Sequence, residues 1–417
     1  MYIALMEKGL KYILYITAIL LTIGGLSTCK KPYNPPAITA NYNYLVVEGL
    51  ININDSTFIN LSRTVSIASV STTKPELKAI ITIESNQGAS YALKEVGKGL
   101  YVAPSYNLSA ANQYRLRIKT TTGSTYTSDF VETKITPPID SIIREMKPDG
   151  LHININTHDP KNTTRYYRWD YSEAWQFTSF FESHATAENA ATSPLFAGYG
   201  IAVVPRKDDI YHCWGGDTSA TILINSTAGL SQDVLSDQPI TFVASGAEKL
   251  SVRYSINIRQ YALTQDAYNF WTLLKKNTEQ LGSIFDSQPS ASVGNFHNIN
   301  NPNEPVIGFM SVCSVSQTRI YIDHTALPYS YINDYINNRS YNKYTCVLDT
   351  LAVYNMLLTS YDELSNFIVS YPHSPQTPVE IIKPFNPLTL AGSASGALTP
   401  CVDCTLRGKN VKPAFWQ

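Results

Sequence analysis

The chain has 417 residues, which is more than one hydrophobic core usually supports, so roughly two or three domains are expected. Its formal net charge is −1 and only 16% of its residues are charged, so the composition argues against a nucleic-acid partner. The 28 Tyr residues, together with many Thr, Ser and Asn, favour strands with one polar face over helical bundles.

The N-terminal segment 1–28 is typical of a bacterial lipoprotein signal peptide. Lys8 and Lys11 precede an apolar run over 12–23, and small residues then lead to Cys29. The run is shorter than the ~20 apolar residues that a membrane-spanning helix needs. A retained transmembrane helix is therefore the weaker alternative.

Cys29 is the predicted site of lipidation. It ends the stretch Leu26-Ser27-Thr28-Cys29, which resembles a lipobox, where the Cys receives a diacylglyceryl group and becomes the mature N-terminus. The residues that follow are rich in Lys and Pro, and they predict a lipidated, extended tether over 29–43. Several acyl chains at Cys29 would anchor the protein stably in a membrane. The alternative is a Cys that merely lies near an ordinary cleavage site.

From residue 44 onward, apolar and polar residues alternate with period two, as they do in half-buried strands. The predicted strands are Leu45–Asn54, Phe58–Thr64, Ala79–Glu84, Gly99–Val102 and Tyr114–Lys119. Their spacing fits an antiparallel sandwich. The segment 108–116 resembles the tyrosine corner of immunoglobulin-like domains, in which the hydroxyl of Tyr114 would bond to upstream backbone. An immunoglobulin-like β-sandwich is therefore predicted over 44–136.

Pro137 and Pro138 mark the predicted domain boundary, because two prolines in a row remove ladder donors. The larger region 137–417 is predicted to be β-rich. Its strands are Leu151–Asn156 and Tyr166–Tyr171, with a turn at Asp159–Asn162 between them, and Ser251–Tyr261. One amphipathic helix is expected near 264–281, with Thr264 as N-cap and Gly282 as its end. The predicted fold class is thus mainly β with one inserted helix.

Five cysteines remain when Cys29 is set aside, so at least one thiol is free or pairs between chains. Cys401 and Cys404 form a C-x-x-C motif, which zinc sites and redox sites share, but no partner motif accompanies it. The preferred interpretation is a structural disulfide between Cys346 and either Cys401 or Cys404. No metal and no cofactor are predicted.

The densest group of aromatic and polar residues lies at 166–177, and alternate residues of a strand share one face. We interpret this face as a contact surface for a glycan or a peptide. The predicted contacts are Trp169, Tyr171, Glu173 and Trp175, whereas Arg168 and Asp170 point to the opposite face of the strand. The alternative is that these rings fill the core of a sandwich.

A second predicted contact region is the long polar and Pro-rich loop at 285–305, with Gln288 and Asn295 as contacts. No catalytic residue is assigned. The serines of the tract at 392–396 occupy the second and fourth positions rather than the third, which the G-x-S-x-G turn requires.

In the residues just described, the chain resembles the DUF4249 family of Bacteroidota lipoproteins of unknown function. The matching stretches are Leu45–Gly49, Tyr167–Trp169 with Glu173 and Trp175, Cys213–Trp214, Arg253–Ile256, Arg259–Leu263, Phe270–Trp271, Gly282–Asp286, Gln288–Ser290, Gly294–Asn295, Pro305–Gly308, Cys401–Cys404 and Lys412–Trp416. The resemblance implies an outer-membrane lipoprotein that assists a TonB-dependent receptor. Acidic residues after the lipidated Cys would favour the cell surface in this phylum, but Lys30 and Lys31 stand there, so the surface and the periplasmic face both stay open.

Three functions follow as hypotheses. The leading one is a non-enzymatic accessory or ligand-capture partner of the receptor. A lipid-anchored hydrolase of glycans or peptides is the first alternative, and a cleft with two carboxylates about 5 to 9.5 Å apart would favour it. A structural or adhesive envelope lipoprotein is the second.

Overall fold

The computed structural model describes residues 43–65, 74–189, 201–279, 294–331, 346, 348–354, 376–386 and 391–417. The predicted signal peptide, Cys29, nearly all of the tether, Gly282 and Gln288 lie outside these residues. In the described part of the chain, no helix is long and apolar enough to cross a membrane. The mainly β fold class is confirmed, because strands of several antiparallel sheets predominate.

The N-terminal region contributes ten strands, and in several of them buried residues alternate with more exposed ones. These are β1 (Leu45–Gly49), β2 (Ile51–Asn52), β3 (Thr57–Arg63), β4 (Lys74–Pro75), β5 (Ile80–Ser85), β6 (Ser90–Gly97), β7 (Leu100–Ala103), β8 (Gln113–Lys119), β9 (Thr125–Ser128) and β10 (Val131–Glu132). The main path of the sheet runs β1-β3-β7-β6-β5-β8-β9. Strand β6 turns a corner in this path, because its first half pairs with β5 and its second half with β7.

Tyr114 makes the predicted corner contact, since its hydroxyl donates to the Ser109 carbonyl at 3.1 Å. Its ring is 1% exposed and packs in the same core as Leu116 and Ile118. The hydrogen bond therefore joins the start of β8 to the loop before it.

The predicted region 44–136 is completed by a distant segment of the chain. Strand Phe296–Asn298 pairs with β9, and Val312–Cys313 pairs in parallel with β2. Phe296, Val306, Met310 and Val312 all belong to the N-terminal core. The chain thus returns to the N-terminal core after the predicted boundary at Pro137, and Tyr44–Gln417 forms one compact unit.

The second region opens with nine strands that build two sheets and a hairpin. They are β11 (Ile139–Lys147), β12 (Gly150–His158), β13 (Tyr166–Thr178), β14 (Ala185–Asn189), β15 (Ile201–Pro205), β16 (His212–Thr218), β17 (Leu223–Ser226), β18 (Val234–Ala244) and β19 (Arg253–Ala262). One sheet has the order β11-β12-β18, and the other contains β16-β13-β19, with β17 also paired to β13. Both sheets contribute to one buried cluster, so they pack face to face.

Asp159 organises the predicted turn between β12 and β13. Its carboxylate accepts four hydrogen bonds, from the backbone of Lys161, Thr163 and Thr164 and from the Thr163 hydroxyl, at 2.8–2.9 Å. Burial alone would raise the pKa of Asp159, but these hydrogen bonds to the charged form lower it to about 2.

This depressed pKa predicts an acid dependence of stability. A folded-state pKa below the unfolded one stabilises the fold above the unfolded value of 3.8, and this contribution is lost as the pH falls towards 2. We expect Asp159→Asn to lower the free energy of unfolding by about 2 kcal/mol at pH 7, with a difference from wild type that shrinks between about pH 4 and pH 2. Urea unfolding across this range measures it. The exposed Asp129→Asn is the control, and a pH-independent difference at Asp159 would contradict the expectation.

The predicted helix is present as α1 (Gln265–Glu279). Thr264 caps it, because its hydroxyl accepts a hydrogen bond from the Ala267 amide at 3.2 Å. The remaining elements are β20 (Phe296–Asn298), β21 (Val312–Cys313), β22 (Val315–Asp323), β23 (Asp349–Tyr354), β24 (Gln376–Asn386), β25 (Ala391–Leu398) and α2 (Thr399–Val402). Strand β22 extends the sheet beyond β19, and β23-β25-β24 form a separate sheet.

Two disulfides hold the C-terminal part. Cys346 pairs with Cys401, which is one of its two predicted partners. Cys404 pairs instead with Cys213, a bond that the sequence analysis did not assign. The two cysteines of the C-x-x-C motif thus have different partners, and Cys313 is free and buried.

Candidate functional site

Trp169, the first predicted ligand contact, is a core residue. It is 1% exposed, its ring stacks on Tyr167 at 5.7 Å, and its Nε1 donates to Oε1 of Gln260 at 2.7 Å. The sheet β11-β12-β18 covers this face of β13. A direct contact between Trp169 and a ligand is therefore not supported, and the alternative interpretation of a core ring describes its position.

The other predicted contacts on β13 are held by protein partners. The Tyr171 hydroxyl accepts a hydrogen bond from Thr241 at 3.0 Å. Glu173 is 6% exposed and accepts from Lys249 and from the Tyr254 hydroxyl. Trp175 lies beneath the Lys249 ammonium, 4.9 Å from its ring centroid. These side chains form a half-buried network between the two sheets.

Asn295, predicted as a loop contact, is 7% exposed and braces the backbone. Its Nδ2 donates to the Met310 carbonyl at 3.0 Å, and its Oδ1 accepts from the Met310 amide at 2.8 Å. Because the oxygen and the nitrogen of this amide are both bonded to the Met310 backbone, Asn295 has a structural role in holding the two segments together. Gln288 lies outside the described residues, so its predicted contact is untested.

The opposite face of β13 borders a cleft of about 1050 Å³. Arg168 and Asp170 lie on this face because they alternate with Tyr167 and Trp169 along the strand. Arg259 and Tyr261 of β19 and Gln317 of β22 continue the same floor. The cleft is therefore built on the polar side of the five-stranded sheet.

Two walls enclose this floor. Helix α1 contributes Phe270, Trp271 and Leu274, while β1, the turn before β3 and the segment 305–309 form the other wall. The segment 305–309 lies against β1 through hydrogen bonds in both directions between Leu45, Val47 and Ile307. Gly308 has φ of +137°, and a side chain there would collide with the Val47 carbonyl. The close approach that shapes this wall therefore requires glycine.

Apolar side chains on the second wall remain open to solvent. Phe58 is 56% exposed and Ile307 is 40% exposed. Glu48 and Asp55 also lie on this wall, where Glu48 accepts from Asn60 at 2.8 Å and Asp55 from the Ser56 amide at 2.6 Å. The wall thus combines apolar surface with negative charge.

Asp170 is the centre of the charged floor. Its two oxygens accept from Nε of Arg259 at 2.5 Å and from the Tyr261 hydroxyl at 2.9 Å. Burial would lower the pKa of Arg259, but Tyr261 and Asp170 raise it above its ordinary value. Burial and the Asp170 charge also raise the pKa of Tyr261. Over the neutral range Arg259 is therefore a fixed cation and Tyr261 a neutral donor.

Arg168 is held by rings rather than by hydrogen bonds. Its guanidinium carbon lies 4.0 Å from the Trp271 ring centroid and 5.3 Å from that of Tyr261. Its nearest carboxylate oxygen, on Asp170, is 3.6 Å away. Within the described residues no group accepts a hydrogen bond from this guanidinium. Its position is fixed while its donors stay available.

This arrangement places charged and apolar groups around one cleft. Two guanidinium groups share one carboxylate, so the floor keeps one positive charge, and the walls add aromatic and aliphatic surface. In the part of the chain that the structure describes, no cluster of three or more His, Cys, Asp or Glu is arranged to hold a metal.

The period-two pattern placed Arg168 and Asp170 on the face opposite Trp169, but the aromatic face was the predicted contact surface. The period-two pattern cannot tell which face of a strand meets another sheet. Trp271 carried a further signal, since it lies on the amphipathic helix that directly follows β19, the strand paired with β13.

Among the comparisons with known proteins, a family model matches more than half of the chain. A family model described as a domain of unknown function, DUF4249, matches residues 30–319. No curated protein matches the chain. One solved structure, described as "Complete structure of manganese lipoxygenase of Gaeumannomyces graminis and partial structure of zonadhesin of Komagataella pastoris", is 10% identical over 54% of this chain and 91% of that chain, with a TM-score of 0.16. That likeness carries no argument about fold or function.

Proposed function

The chain belongs to the DUF4249 family, and from that premise we propose that it is a lipid-anchored, non-enzymatic ligand-capture protein that assists a TonB-dependent receptor at the outer membrane. The family has no assigned function, so the proposal depends on features of this chain. The cleft on the floor of Arg168, Asp170 and Arg259 is the observation that carries it.

The cleft supports capture rather than catalysis. The carboxylate of Asp170 is already bonded to Arg259 and Tyr261, which suits a group that positions its neighbours. The exposed rings and the available donors of Arg168 suit a group that holds a ligand. Pockets of several hundred Å³ with a few polar groups are the usual form of small-ligand sites.

The lipid anchor is supported by the sequence around Cys29 alone. The tether over 29–43 would hold the body away from the membrane, where a receptor could approach the cleft. The proposal includes both faces of the outer membrane, because Lys30 and Lys31 stand after Cys29 where acidic residues would favour the cell surface.

We also propose that residues 44–136 form an immunoglobulin-like sandwich, completed by 295–313. Two features favour it, namely the hydrogen bond from Tyr114 to Ser109 and the passage of β6 from β5 to β7. Such a domain would serve as the rigid scaffold for the apolar wall of the cleft.

Affinity purification of the lipoprotein from detergent-solubilised outer membranes tests the function. We expect wild type to recover a β-barrel receptor in near-equal amount, and Cys29→Ala to be lost from the membrane fraction. Asn34→Ala, in the same tether, is the matched control and should behave as wild type.

Recovery of membrane-bound wild type without a receptor would contradict the accessory role. Cys29→Ala that stays in the membrane fraction would contradict the lipid anchor. Cleavage of a glycan or peptide by the purified protein would favour the hydrolase alternative instead.

A further inference from the structure

We infer that the cleft recognises the free carboxylate at the end of a peptide, with Arg168 as the group that binds it and the apolar wall as the site of the terminal side chain. This inference deepens the ligand-capture part of the proposed function.

Arg168 has the geometry of a carboxylate receptor. A guanidinium offers a planar fork of donors that matches the two oxygens of a carboxylate. Stacking on Trp271 at 4.0 Å fixes the plane of this fork without using its N–H groups. The side chain is 23% exposed, so the fork is accessible but partly shielded from water, which strengthens a charged hydrogen bond.

Arg259 reinforces the preference for an anion. Its Nε is bonded to Asp170, and Tyr261 also hydrogen-bonds with its guanidinium. Because Asp170 neutralises only one of the two guanidinium groups, an incoming carboxylate balances the remaining charge. A lysine in place of Arg168 would keep that charge but lose the fork.

The side chains of the second wall favour particular groups next to the ligand carboxylate. Phe58 and Ile307 are exposed apolar groups opposite the floor, which favours an apolar neighbour over a sugar ring bearing hydroxyls on every side. Glu48 and Asp55 lie on the same wall and would repel a ligand that is anionic along its whole length. A peptide end with one carboxylate and an apolar last residue satisfies both conditions.

The experiment compares two probes that differ in one group. N-acetyl-Phe-Leu with a free carboxylate and the same dipeptide as its amide are titrated into the purified full-length lipoprotein in detergent by calorimetry. We expect the free acid to bind about tenfold tighter or more, which is the usual size of a charged bidentate contact. Arg168→Gln should abolish this difference, and Arg168→Lys should retain only part of it.

Arg319→Gln is the matched control, because Arg319 lies on β22 of the same sheet and also stacks on a ring, 3.9 Å from the centroid of Phe415 in the C-terminal tail. Its guanidinium donates a hydrogen bond to Ser255 outside the cleft. This variant should bind as wild type, and thermal unfolding shows that each variant is folded. Equal binding of acid and amide, or undiminished discrimination in Arg168→Gln, would overturn the inference. Displacement of the probe by equimolar inorganic phosphate would show a general anion site, and tighter binding of glucuronate would show an acidic sugar site; either result overturns it.

The assay needs neither the anchor nor the receptor. A failed receptor purification with intact discrimination between the probes therefore removes the accessory role alone. Lost discrimination with an intact receptor complex removes the carboxylate inference alone.

Discussion

Trp169→Ala is expected to lower the free energy of unfolding by about 3 to 5 kcal/mol, because it empties a large volume in a closed core. The ring is 1% exposed and stacks on Tyr167. Its loss also leaves Oε1 of Gln260 without its donor at a buried position, which costs further stability. Urea unfolding monitored by circular dichroism measures the change.

The buried amide of Gln260 links the Trp169 ring to a hydrogen-bond network. Its Nε2 donates to the Pro137 carbonyl and to the Thr157 hydroxyl, both at 2.9 Å. The network therefore joins β13, β19 and β12 to the segment that leads out of the N-terminal region. Removing one member weakens the connection between the two sheets.

Trp271→Ala is the control for Trp169→Ala, since it removes the same atoms from a half-buried ring at the cleft. We expect a clearly smaller loss of stability there and a loss of ligand binding, whereas Trp169→Ala should act through stability. A stable Trp169→Ala variant with impaired ligand binding would instead favour the original interpretation of this ring as a contact.

Removal of the Cys213–Cys404 disulfide, by Cys213→Ser with Cys404→Ser, is expected to cost about 3 to 5 kcal/mol of unfolding free energy. The bond joins residues 191 apart in sequence, so its loss frees a long loop in the unfolded chain. Its sulfurs also pack with Phe177 in a small buried cluster.

The tail beyond Cys404 depends on the same bond. Trp214 and Lys409 exchange backbone hydrogen bonds at 2.8 and 3.0 Å, and the Tyr321 hydroxyl donates to the Phe415 carbonyl at 2.5 Å. With the disulfide removed, only noncovalent contacts retain the tail, among them these hydrogen bonds and the stacking of Arg319 on Phe415. Faster proteolysis of residues after 404 should accompany the loss of stability.

The second disulfide provides the comparison. Cys346 and Cys401 are 55 residues apart, so the chain-entropy model predicts that their removal costs about 1 kcal/mol less. Denaturation of both double variants under non-reducing conditions tests the order. Equal losses would contradict the loop-length argument, and an unchanged midpoint for Cys213→Ser with Cys404→Ser would contradict the structural role of the bond.

Features that depend on residues close in sequence were predicted correctly from the sequence. The cap at Thr264, the turn at Asp159 and the corner at Tyr114 were all predicted from residues close in sequence, because each involves hydrogen bonds within a few positions. The pairing of Cys346 with Cys401 was predicted only as one of two choices.

Long-range features were not accessible in the same way. The partner of Cys404 lies 191 residues away, and β20 returns to β9 from the far side of α1. The sequence between β9 and β20 does not indicate this pairing, because several strands have the alternating pattern that would allow them to pair with β9.

The sequence by itself thus determined that the chain is mainly β, where its one long described helix begins, and that Arg168 and Trp169 lie on opposite faces of one strand. Only the tertiary structure decided that the face of Trp169 packs against a second sheet and that the face of Arg168 borders a cleft. Alternation divides a strand into two faces because its side chains have period two. Which face is buried depends on surfaces contributed by residues far away in the chain, and these meet only in the folded protein.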